Sequence, residues 1–345
     1  MRAFGSDNYS GAHPAVLAAL QQVNADHVVA YGDDPYTASA VETLQKHLGC
    51  DTHIRFAFNG TGANITGLST LLRPWEAVVC ADTAHIHTDE GGAAEHIASM
   101  KLLTIPTDDG KLTPAALAPV LDHYIGFEHA RQPRVVSITN LTELGTLYMP
   151  AEIRALADYV HSRDLYLHCD GARLANAAAA AGVTLADISG NAGIDVMTLG
   201  GTKNAMLFGE AVVFFGAAAE TARDISFYVR KESAQLASKM RYLAAQFSAM
   251  YAGDLWLECA AHANAMAHRL ATGLRAAGAD FAYSPDGNEV FALLPHAVVA
   301  PLQERFHFYT WEERADDIDV VRWVCSWDTT ADEVDELLAA IVAVL

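Results

Sequence analysis

The chain has 345 residues, of which 52% are hydrophobic and 19% charged, as expected for a globular protein with a large core. Its formal net charge of −20 argues against nucleic acid or an anionic membrane as a partner. The sequence contains no run of about 18 apolar residues, so no transmembrane helix is expected. The N-terminal sequence MRAFGSDNYSG also lacks an apolar signal core, so the expected location is the cytoplasm.

The cysteines are scattered, odd in number and without a CxxC pair, which argues for reduced thiols and against a metal site. They are Cys50, Cys80, Cys169, Cys259 and Cys325.

An irregular arm is predicted over residues 1–12, followed by two helices. His13-Pro14-Ala15 opens the first helix, because proline is well tolerated in a first turn. The second covers residues 37–48, where apolar residues recur at helical spacing. Between the helices lies a turn-rich segment, 31–36, that begins with Tyr31.

A strand at 53–58 ends in the sequence NGTGAN, and a helix follows to residue 72. Free backbone N–H groups and the helix dipole at such a junction favour an anion, and glycine lets the anion approach. The phosphate-binding candidates are Gly60, Thr61 and Gly62. An ordinary strand-to-helix turn is the alternative.

Strands and helices then alternate along the chain. Strands are predicted at 77–80, 101–105, 134–139, 165–169, 194–199 and 210–215, and helices at 113–124, 150–162 and 173–181. This alternation is typical of an α/β fold with a mostly parallel sheet covered by helices on both faces.

The pattern changes after residue 215. Long helical stretches are predicted at 218–250 and 256–277, and they precede a smaller α+β pattern with strands at 280–283, 289–294 and 320–325 and helices at 300–306 and 331–344. We therefore expect an N-terminal arm and large domain over residues 1–250, and a small C-terminal domain over residues 251–345.

A single lysine, Lys203, follows the apolar strand at 194–199 and the turn Gly200-Gly201-Thr202. A lysine at the exit of a buried strand meets little water, and burial disfavours its charged form, so it can act as a nucleophilic amine. The chemistry that most often needs this amine is Schiff-base formation with pyridoxal 5′-phosphate (PLP). A loop lysine that reaches solvent is the alternative.

Asp170 stands at the end of the strand 165–169, where functional groups of a parallel sheet collect. Its carboxylate could pair with the pyridinium nitrogen of PLP, or it could cap the next helix. Arg173 lies in the first turn of that helix, where a cation opposes the helix dipole. Its position indicates an anionic partner such as a substrate carboxylate, with a solvated arginine as the alternative.

Three further residues are candidates. His85 follows a buried strand and could stack on a flat cofactor ring. His85 and His87 could instead share a metal, although no third ligand has suitable spacing. Arg322 lies inside an apolar strand, where its charge is costly unless paired. It is therefore a candidate for binding a carboxylate, or for a structural ion pair.

These residues belong to motifs that follow one another along nearly the whole chain: FGSDNYSG, NGTGAN, TAHIHTDEGG, HCDGARLANA, LGGTKNAMLFGEAVVFF, QLASKMRYLAAQF and VRWVCSWDTT. In this order they resemble the low-specificity L-threonine aldolases, in the β-eliminating lyase group of fold-type-I PLP enzymes. The resemblance implies an aspartate-aminotransferase-like large domain, a smaller α+β domain, and a homodimer or homotetramer. The implied reaction is PLP-dependent retro-aldol cleavage of L-threonine, L-allo-threonine or related β-hydroxy-α-amino acids to glycine and an aldehyde.

The resemblance also implies residue roles. Lys203 would form the Schiff base, Asp170 would pair with the pyridine nitrogen, and His85 would stack on the ring. The other implied cofactor-binding residues are Gly60, Thr61, Gly62, Arg173 and Thr202. The implied substrate-binding residues are Ser6, Tyr31, His87, Arg173 and Arg322. Tyr31 would reach the site of a partner subunit, as would one basic residue of 230–241; no metal is implied.

One departure from the family pattern leaves a role open. Many relatives carry a second active-site histidine after the strand 134–139, but this chain reads Asn140-Leu141-Thr142-Glu143. Glu143 or water could replace that histidine. The base that takes the β-hydroxyl proton is therefore not assigned, with His85, His87, Glu143 and an ordered water as candidates.

Other functions use the same parts. A PLP-dependent β-eliminating lyase or an aminotransferase would need the same lysine, aspartate and phosphate loop. A PLP-binding protein without catalysis is a further alternative. The presence of Lys203, Asp170 and Arg322 argues against it, because storage of the cofactor needs no clamp for a substrate carboxylate.

Overall fold

The structure, a computed structural model, describes residues 2–49, 51–315 and 317–344. The strands are β1 (Arg2–Ala3), β2 (His53–Ala57), β3 (Glu76–Ala81), β4 (Lys101–Ile105), β5 (Gln132–Thr139), β6 (Tyr166–Gly171), β7 (Val196–Gly200), β8 (Glu210–Phe214), β9 (Glu289–Pro295), β10 (Phe306–His307), β11 (Tyr309–Glu313) and β12 (Ile318–Val324).

The helices cover most of the remaining chain. They are α1 (Pro14–Gln22), α2 (Pro35–Leu48), α3 (Gly60–Leu71), α4 (His85–Thr88), α5 (Ala93–His96), α6 (Pro114–Tyr124), α7 (Pro150–His161), α8 (Leu174–Ala181), α9 (Gly216–Glu232), α10 (Met240–Tyr251), α11 (Leu255–Ala276), α12 (His296–Gln303) and α13 (Ala331–Val342). In the described residues, no helix is both long and apolar enough to cross a bilayer.

The main sheet has seven strands in the order β2-β8-β7-β6-β5-β3-β4. Strands β3 to β7 pair in parallel, and β8 is antiparallel to both β2 and β7. Strand β2 therefore runs in the same direction as the parallel strands. The carboxyl ends of all these strands except β8 lie at one edge of the sheet, which is where polar groups that follow them can meet.

The predicted α/β class is confirmed, because central strands such as β7 and β8 are buried along their whole length and helices cover the sheet. Among the described residues, four buried cysteines are free thiols, namely Cys80, Cys169, Cys259 and Cys325. Cys50 lies outside the described residues.

The predicted continuous helix at 218–250 is wrong. Helix α9 ends at Glu232 and α10 begins only at Met240. Between them Ala234 has a φ of 59°, a left-handed conformation that a right-handed helix cannot contain. The resulting loop carries Gln235 to the start of α3, where its side-chain oxygen accepts a hydrogen bond from Phe58 N at 2.9 Å.

The predicted strand at 280–283 is also wrong, since only an isolated bridge joins Phe281 to Ala292. The C-terminal sheet instead has the antiparallel order β11-β12-β9, and β10 pairs with β1 of the N-terminal arm. Phe4 of the arm is buried in the core of this C-terminal part. The domain boundary near residue 250 stays a prediction.

Candidate active site

A cavity of about 250 Å³ opens at the carboxyl-end edge of the main sheet. Side chains and turns that follow β2, β3, β5, β6 and β7 line it, because these strands all end at this edge. The predicted site residues among them are Gly60, Thr61, His85, Asp170, Arg173, Thr202 and Lys203.

The other predicted site residues do not line this cavity. Gly62 directly follows Thr61, which is part of the cavity wall. The Ser6 side chain accepts a hydrogen bond from Asn8 N at 3.1 Å. His87 is exposed on the outer side of α4. Tyr31 lies in a different cavity, described below. Arg322 is linked to the first cavity through Glu289, which in turn contacts Arg173 in the cavity wall.

The N-terminus of α3 forms one wall of the cavity. Asn59 caps the helix by accepting a hydrogen bond from Gly62 N at 2.8 Å. The N–H groups of Gly60 and Thr61, in the first turn, have no carbonyl partner within the helix. A Cβ on Gly60 would meet nothing within 4 Å, whereas one on Gly62 would lie 2.1 Å from the Gln235 side chain. Glycine at 62 is thus required by the protein's own packing, while the space at 60 is open to a ligand.

Lys203 lies on the opposite side of the cavity and is half-buried. Among the described residues, no carboxylate oxygen lies within 4.0 Å of its amine. The turn that precedes it is fixed by Glu210, which accepts hydrogen bonds from Gly201 N at 3.1 Å and Thr202 Oγ1 at 2.7 Å. Burial raises the pKa of Glu210 to about 7 despite these hydrogen bonds and the nearby lysine.

Asp170 forms the floor of the cavity, and both of its oxygens are hydrogen-bonded. Oδ1 accepts from Ala172 N at 3.0 Å and Oδ2 from Asn64 Nδ2 at 2.7 Å. Burial by itself would raise the pKa of Asp170, but the Asn64 hydrogen bond and the charge of His85 outweigh it. The pKa is therefore lowered, so the carboxylate is ionised at neutral pH.

His85 joins the same network, which we call the floor cluster: Asn64, His85, Glu90 and Asp170. His85 Nδ1 lies 3.0 Å from Glu90 Oε1, which also accepts from Asn64 Nδ2 at 2.9 Å. The Glu90 hydrogen bond raises the pKa of His85 against the effect of burial. Atoms of His85, Glu90 and Asp170 that could bind a metal lie within 4.8 Å of one another. These side chains are already linked by hydrogen bonds, directly between His85 and Glu90 and through Asn64 between Glu90 and Asp170. His87, the metal partner considered from the sequence, is not part of this group.

Arg173 lies directly before α8 rather than in its first turn, and it is paired on both sides. Its Nε and Nη2 donate to the two oxygens of Asp7 at 2.7 and 3.0 Å, and its Nη1 lies 3.4 Å from Glu289. Burial would lower the pKa of this guanidinium, but the two carboxylates raise it. The anionic partner that the sequence indicated is thus present within the chain.

Arg322 approaches Glu289 from the other side, with Nη1 at 3.8 Å from Oε1, and donates from Nη2 to Gly5 O at 3.1 Å. Its guanidinium also lies over the Trp311 ring, 4.8 Å from the centroid. We call Asp7, Arg173, Glu289 and Arg322 the arginine cluster. Neither oxygen of Glu289 has a hydrogen bond among the described residues. Burial raises its pKa, and the two arginines only partly oppose this.

Glu143 follows β5 and also lines the cavity. Its Oε1 accepts hydrogen bonds from His85 N at 2.7 Å and from Thr139 Oγ1 at 2.8 Å. Burial raises the pKa of Glu143 to about 7, against the effect of these two hydrogen bonds. Glu143, considered from the sequence as a replacement for the histidine of many relatives, thus lies in the cavity wall with a raised pKa.

Sequence reasoning did not single out several polar residues of the site. They are Asp7, Asn64, Glu90, Glu210 and Glu289, all buried. A usable signal was present for two of them, since Asn64 interrupts an apolar helix and Glu289 begins an apolar strand. A buried polar side chain in such a place needs a partner.

A second cavity, of about 830 Å³, lies between α2, β2 and α9. Exposed aromatic side chains line it, namely Tyr31, Phe227 and Tyr228. Arg230 lies in its wall and is buried, yet its Nε has no hydrogen-bond partner among the described residues. Burial lowers the pKa of Arg230 to about 10, and the nearby Arg55 adds to this.

Comparison with known proteins agrees with this geometry. The family model "Beta-eliminating lyase" matches residues 3–296. The chain is 41% identical to the low specificity L-threonine aldolase of Pseudomonas sp. (strain NCIMB 10558), over 99% of this chain and 97% of that protein. It is also 41% identical to the enzyme of that name from Pseudomonas aeruginosa, over 97% and 95% of the two chains.

A solved structure of Leishmania major threonine aldolase superposes with a TM-score of 0.95, covering 100% of this chain and 99% of that chain at 32% identity. The α/β fold with its mostly parallel seven-stranded sheet agrees with these matches. The chain therefore belongs to the beta-eliminating lyase family, among the low specificity L-threonine aldolases.

Proposed function

We propose that this protein is a PLP-dependent lyase that cleaves L-threonine, L-allo-threonine and related β-hydroxy-α-amino acids to glycine and an aldehyde. The observation that carries the proposal is the cavity in which Lys203, Asp170 and the N-terminus of α3 meet. An amine, an ionised carboxylate and an anion-binding helix end are what a PLP enzyme needs from its protein. The names of the relatives supply the reaction class.

The residues of the cavity fit PLP, on which the enzymes of this family depend. Lys203 offers an amine without a carboxylate partner among the described residues. Gly60 and Thr61 offer unpaired N–H groups beside open space for the phosphate. Asp170 is available to the ring nitrogen, and His85 to one face of the ring.

When bound, PLP supplies an electron-accepting ring that stabilises negative charge at the substrate Cα. Asp170 would hold a proton on the ring nitrogen, because its own pKa is lowered and it stays ionised. The hydrogen bond to Glu90 fixes the orientation of the His85 ring. These contacts keep the chemical groups in place before substrate arrives, which lowers the cost of reaching the transition state.

Arg173 and Arg322 are the proposed binding groups for the substrate carboxylate. Within the chain they are paired with Asp7 and Glu289, so a substrate would have to share or replace one of these partners. Glu289 is the better candidate for replacement, because its ion pairs are long and it makes no hydrogen bond among the described residues. Ser6 and His87 remain weaker candidates for substrate contacts.

We also propose a homodimer or homotetramer located in the cytoplasm. The support is the second cavity, where exposed aromatic side chains surround Arg230, a buried cation without a hydrogen bond at Nε. A second copy of the chain would cover this surface, and Tyr31 of the first copy would then reach the active site of the second copy. Light scattering at assay concentration tests this, and a fully active monomer would contradict it.

The test of the reaction is incubation of the purified protein and PLP with L-threonine and with L-allo-threonine. Glycine and acetaldehyde should form in equal amounts. Formation of a 2-oxo acid with ammonia would instead indicate β-elimination, and transfer of the amino group would indicate an aminotransferase. Absence of any turnover would contradict the proposal.

A further inference from the structure

We propose that Glu143 is a catalytic residue, the base that takes the proton from the β-hydroxyl group of the substrate while the Cα–Cβ bond breaks. This inference rests on the proposed retro-aldol function and adds a role for a side chain in its site. It starts from a carboxylate that lines the cavity, with one oxygen held by two other residues and the second oxygen free of hydrogen bonds from any other described residue.

Other described residues hold the carboxyl group of Glu143 through only one of its two oxygens, Oε1. Both hydrogen bonds that they donate to it, from His85 N and Thr139 Oγ1, go to Oε1, and the backbone N–H of Glu143 itself also interacts with the carboxyl group. Oε2 accepts no hydrogen bond from another described residue, and Glu143 is only partly buried and lines the cavity, so this oxygen is the one open to a substrate. Because the first contact comes from the backbone of His85, Glu143 is positioned relative to the side chain proposed to cover the cofactor.

The other acids that line the cavity either accept hydrogen bonds at both oxygens or are enclosed by protein, and Asp170 is in addition the proposed partner of the ring nitrogen. Asp170 and Glu210 each use both oxygens to accept hydrogen bonds. Glu90 binds Asn64 and His85 through Oε1, and its Oε2 is enclosed by protein. Glu143 is therefore the cavity acid with an oxygen to offer a substrate.

The two histidines considered from the sequence are weaker choices. The Glu90 hydrogen bond occupies His85 Nδ1 and raises the pKa of this histidine, which favours its protonated form. His87 is exposed and does not line the cavity. A base must be unprotonated and within reach of the hydroxyl, and Glu143 meets these conditions better.

Burial raises the pKa of Glu143 to about 7, where a carboxylate can both accept and return a proton at neutral pH. Asp170 raises this pKa further by its negative charge, and Arg173 lies close enough to interact with Glu143. The remaining titratable groups that sense its charge are Cys80, Tyr148 and Cys169. All three keep their protons at neutral pH, because burial raises the pKa of each.

The step balances without a further reactant. The O–H bond of the β-hydroxyl breaks, its proton passes to Glu143 Oε2, and its electron pair forms the C=O double bond of the aldehyde. The Cα–Cβ bond breaks and its electron pair stays with Cα, which later takes up a proton to give glycine. In the reverse, aldol direction Glu143 returns the proton to the new hydroxyl oxygen.

The first test is Glu143→Gln in the PLP-loaded enzyme, with Glu128→Gln, an exposed glutamate, as the matched control. Glutamine can still accept the hydrogen bonds from His85 N and Thr139 Oγ1, but it cannot accept a proton. The kcat for threonine cleavage should fall by about 100- to 10,000-fold, the usual contribution of a general base.

A second readout separates this role from a structural one. Exchange of the glycine Cα hydrogen for deuterium, followed by NMR, needs the cofactor and Lys203 but no β-hydroxyl group. Glu143→Gln should retain this exchange to within a few-fold, together with normal PLP occupancy. Equal loss of exchange and cleavage, or unchanged cleavage, would overturn the assignment. A wild-type enzyme that exchanges glycine but does not cleave threonine would instead contradict the proposed function.

A third variant, Thr139→Val, tests the assignment without altering the acid itself. The Thr139 hydrogen bond lowers the pKa of Glu143, so its loss should move the rise of kcat/KM with pH to a higher pH. A rise at the same pH as in the wild type would mean that another group is the base.

Discussion

Two buried carboxylates beside the same cavity, Asp170 and Glu289, are held in different ways. Asp170 accepts hydrogen bonds of 2.7 and 3.0 Å, whereas Glu289 has only ion pairs of 3.4 and 3.8 Å and no hydrogen bond among the described residues. The pKa of Asp170 is lowered and that of Glu289 is raised. At Asp170 the hydrogen bond from Asn64 and the charge of His85 together outweigh burial, whereas at Glu289 the two more distant arginines do not.

The comparison extends to the clusters around these residues. The floor cluster is fixed by short hydrogen bonds, as suits its proposed contact with a rigid cofactor ring. The arginine cluster combines a tight Asp7–Arg173 pair with loosely paired Glu289 and Arg322. Such loose pairs can exchange a partner, as suits groups proposed to bind a substrate that arrives and leaves.

The largest effect is expected at Lys203, whose charge acts on members of both clusters. Lys203→Ala should lower the rate of threonine cleavage by several orders of magnitude, because the amine proposed to bind the cofactor is lost. The protein should also lose the yellow colour of a lysine-bound PLP enzyme. Lys46→Ala, an exposed lysine of α2, is the control. A nearly normal rate in Lys203→Ala would exclude the assignment.

Breaking the floor cluster should have the next largest effect. Asp170→Asn removes the negative charge while keeping the size of the side chain. We expect kcat/KM to fall by about 100- to 1,000-fold, as for the loss of one preorganised electrostatic contact. Steady-state kinetics and the cofactor absorption spectrum measure this, with exposed Asp122→Asn as the control. Unchanged kinetics would show that the ring nitrogen does not depend on Asp170.

The arginine cluster is tested with Arg322→Ala. Loss of a charge-assisted carboxylate contact should lower kcat/KM roughly 30- to 1,000-fold, or about 2–4 kcal/mol, with PLP still bound. If Arg322 serves only as the partner of Glu289, the variant should instead melt at a lower temperature and keep its kinetic constants. Arg305→Ala, an exposed arginine, is the control for both measurements.

The smallest effect is expected at Glu210. Like Asp170 it accepts two hydrogen bonds, but its pKa is raised rather than lowered, so it extends the comparison of buried carboxylates. Since the folded-state pKa is raised from 4.5 to about 7, folding is favoured while Glu210 is protonated. That contribution is full at lower pH and is lost as the pH rises through about 7.

Glu210→Gln should remove this part of the pH dependence, on the order of 1–3 kcal/mol between about pH 4.5 and pH 7. Denaturant unfolding of both proteins at the two ends of that range measures the difference. Parallel pH dependences in the wild type and the variant would mean that Glu210 does not gain a proton on folding.

The order of strands and helices around the main sheet could be predicted from the sequence, because each element carries its own periodicity and turn residues. The break between α9 and α10 could not, since it depends on the left-handed backbone at Ala234, a residue with high helix propensity. The short strands β10 and β11 also escaped prediction. Strand β10 has only two residues and pairs with β1 at the other end of the chain, and β11 is an edge strand without a buried face.

The sequence alone determined which side chains follow the parallel strands, and therefore that Lys203, Asp170 and His85 meet at one sheet edge. Only the tertiary structure decided the partners of these groups. Asp7 reaches Arg173 across 166 residues, and Asn64 reaches Asp170 across 106. Local patterns report which backbone conformation a segment prefers. Hydrogen bonds and charge pairs between distant segments depend on how the whole chain packs, and these contacts set the pKa values in the site.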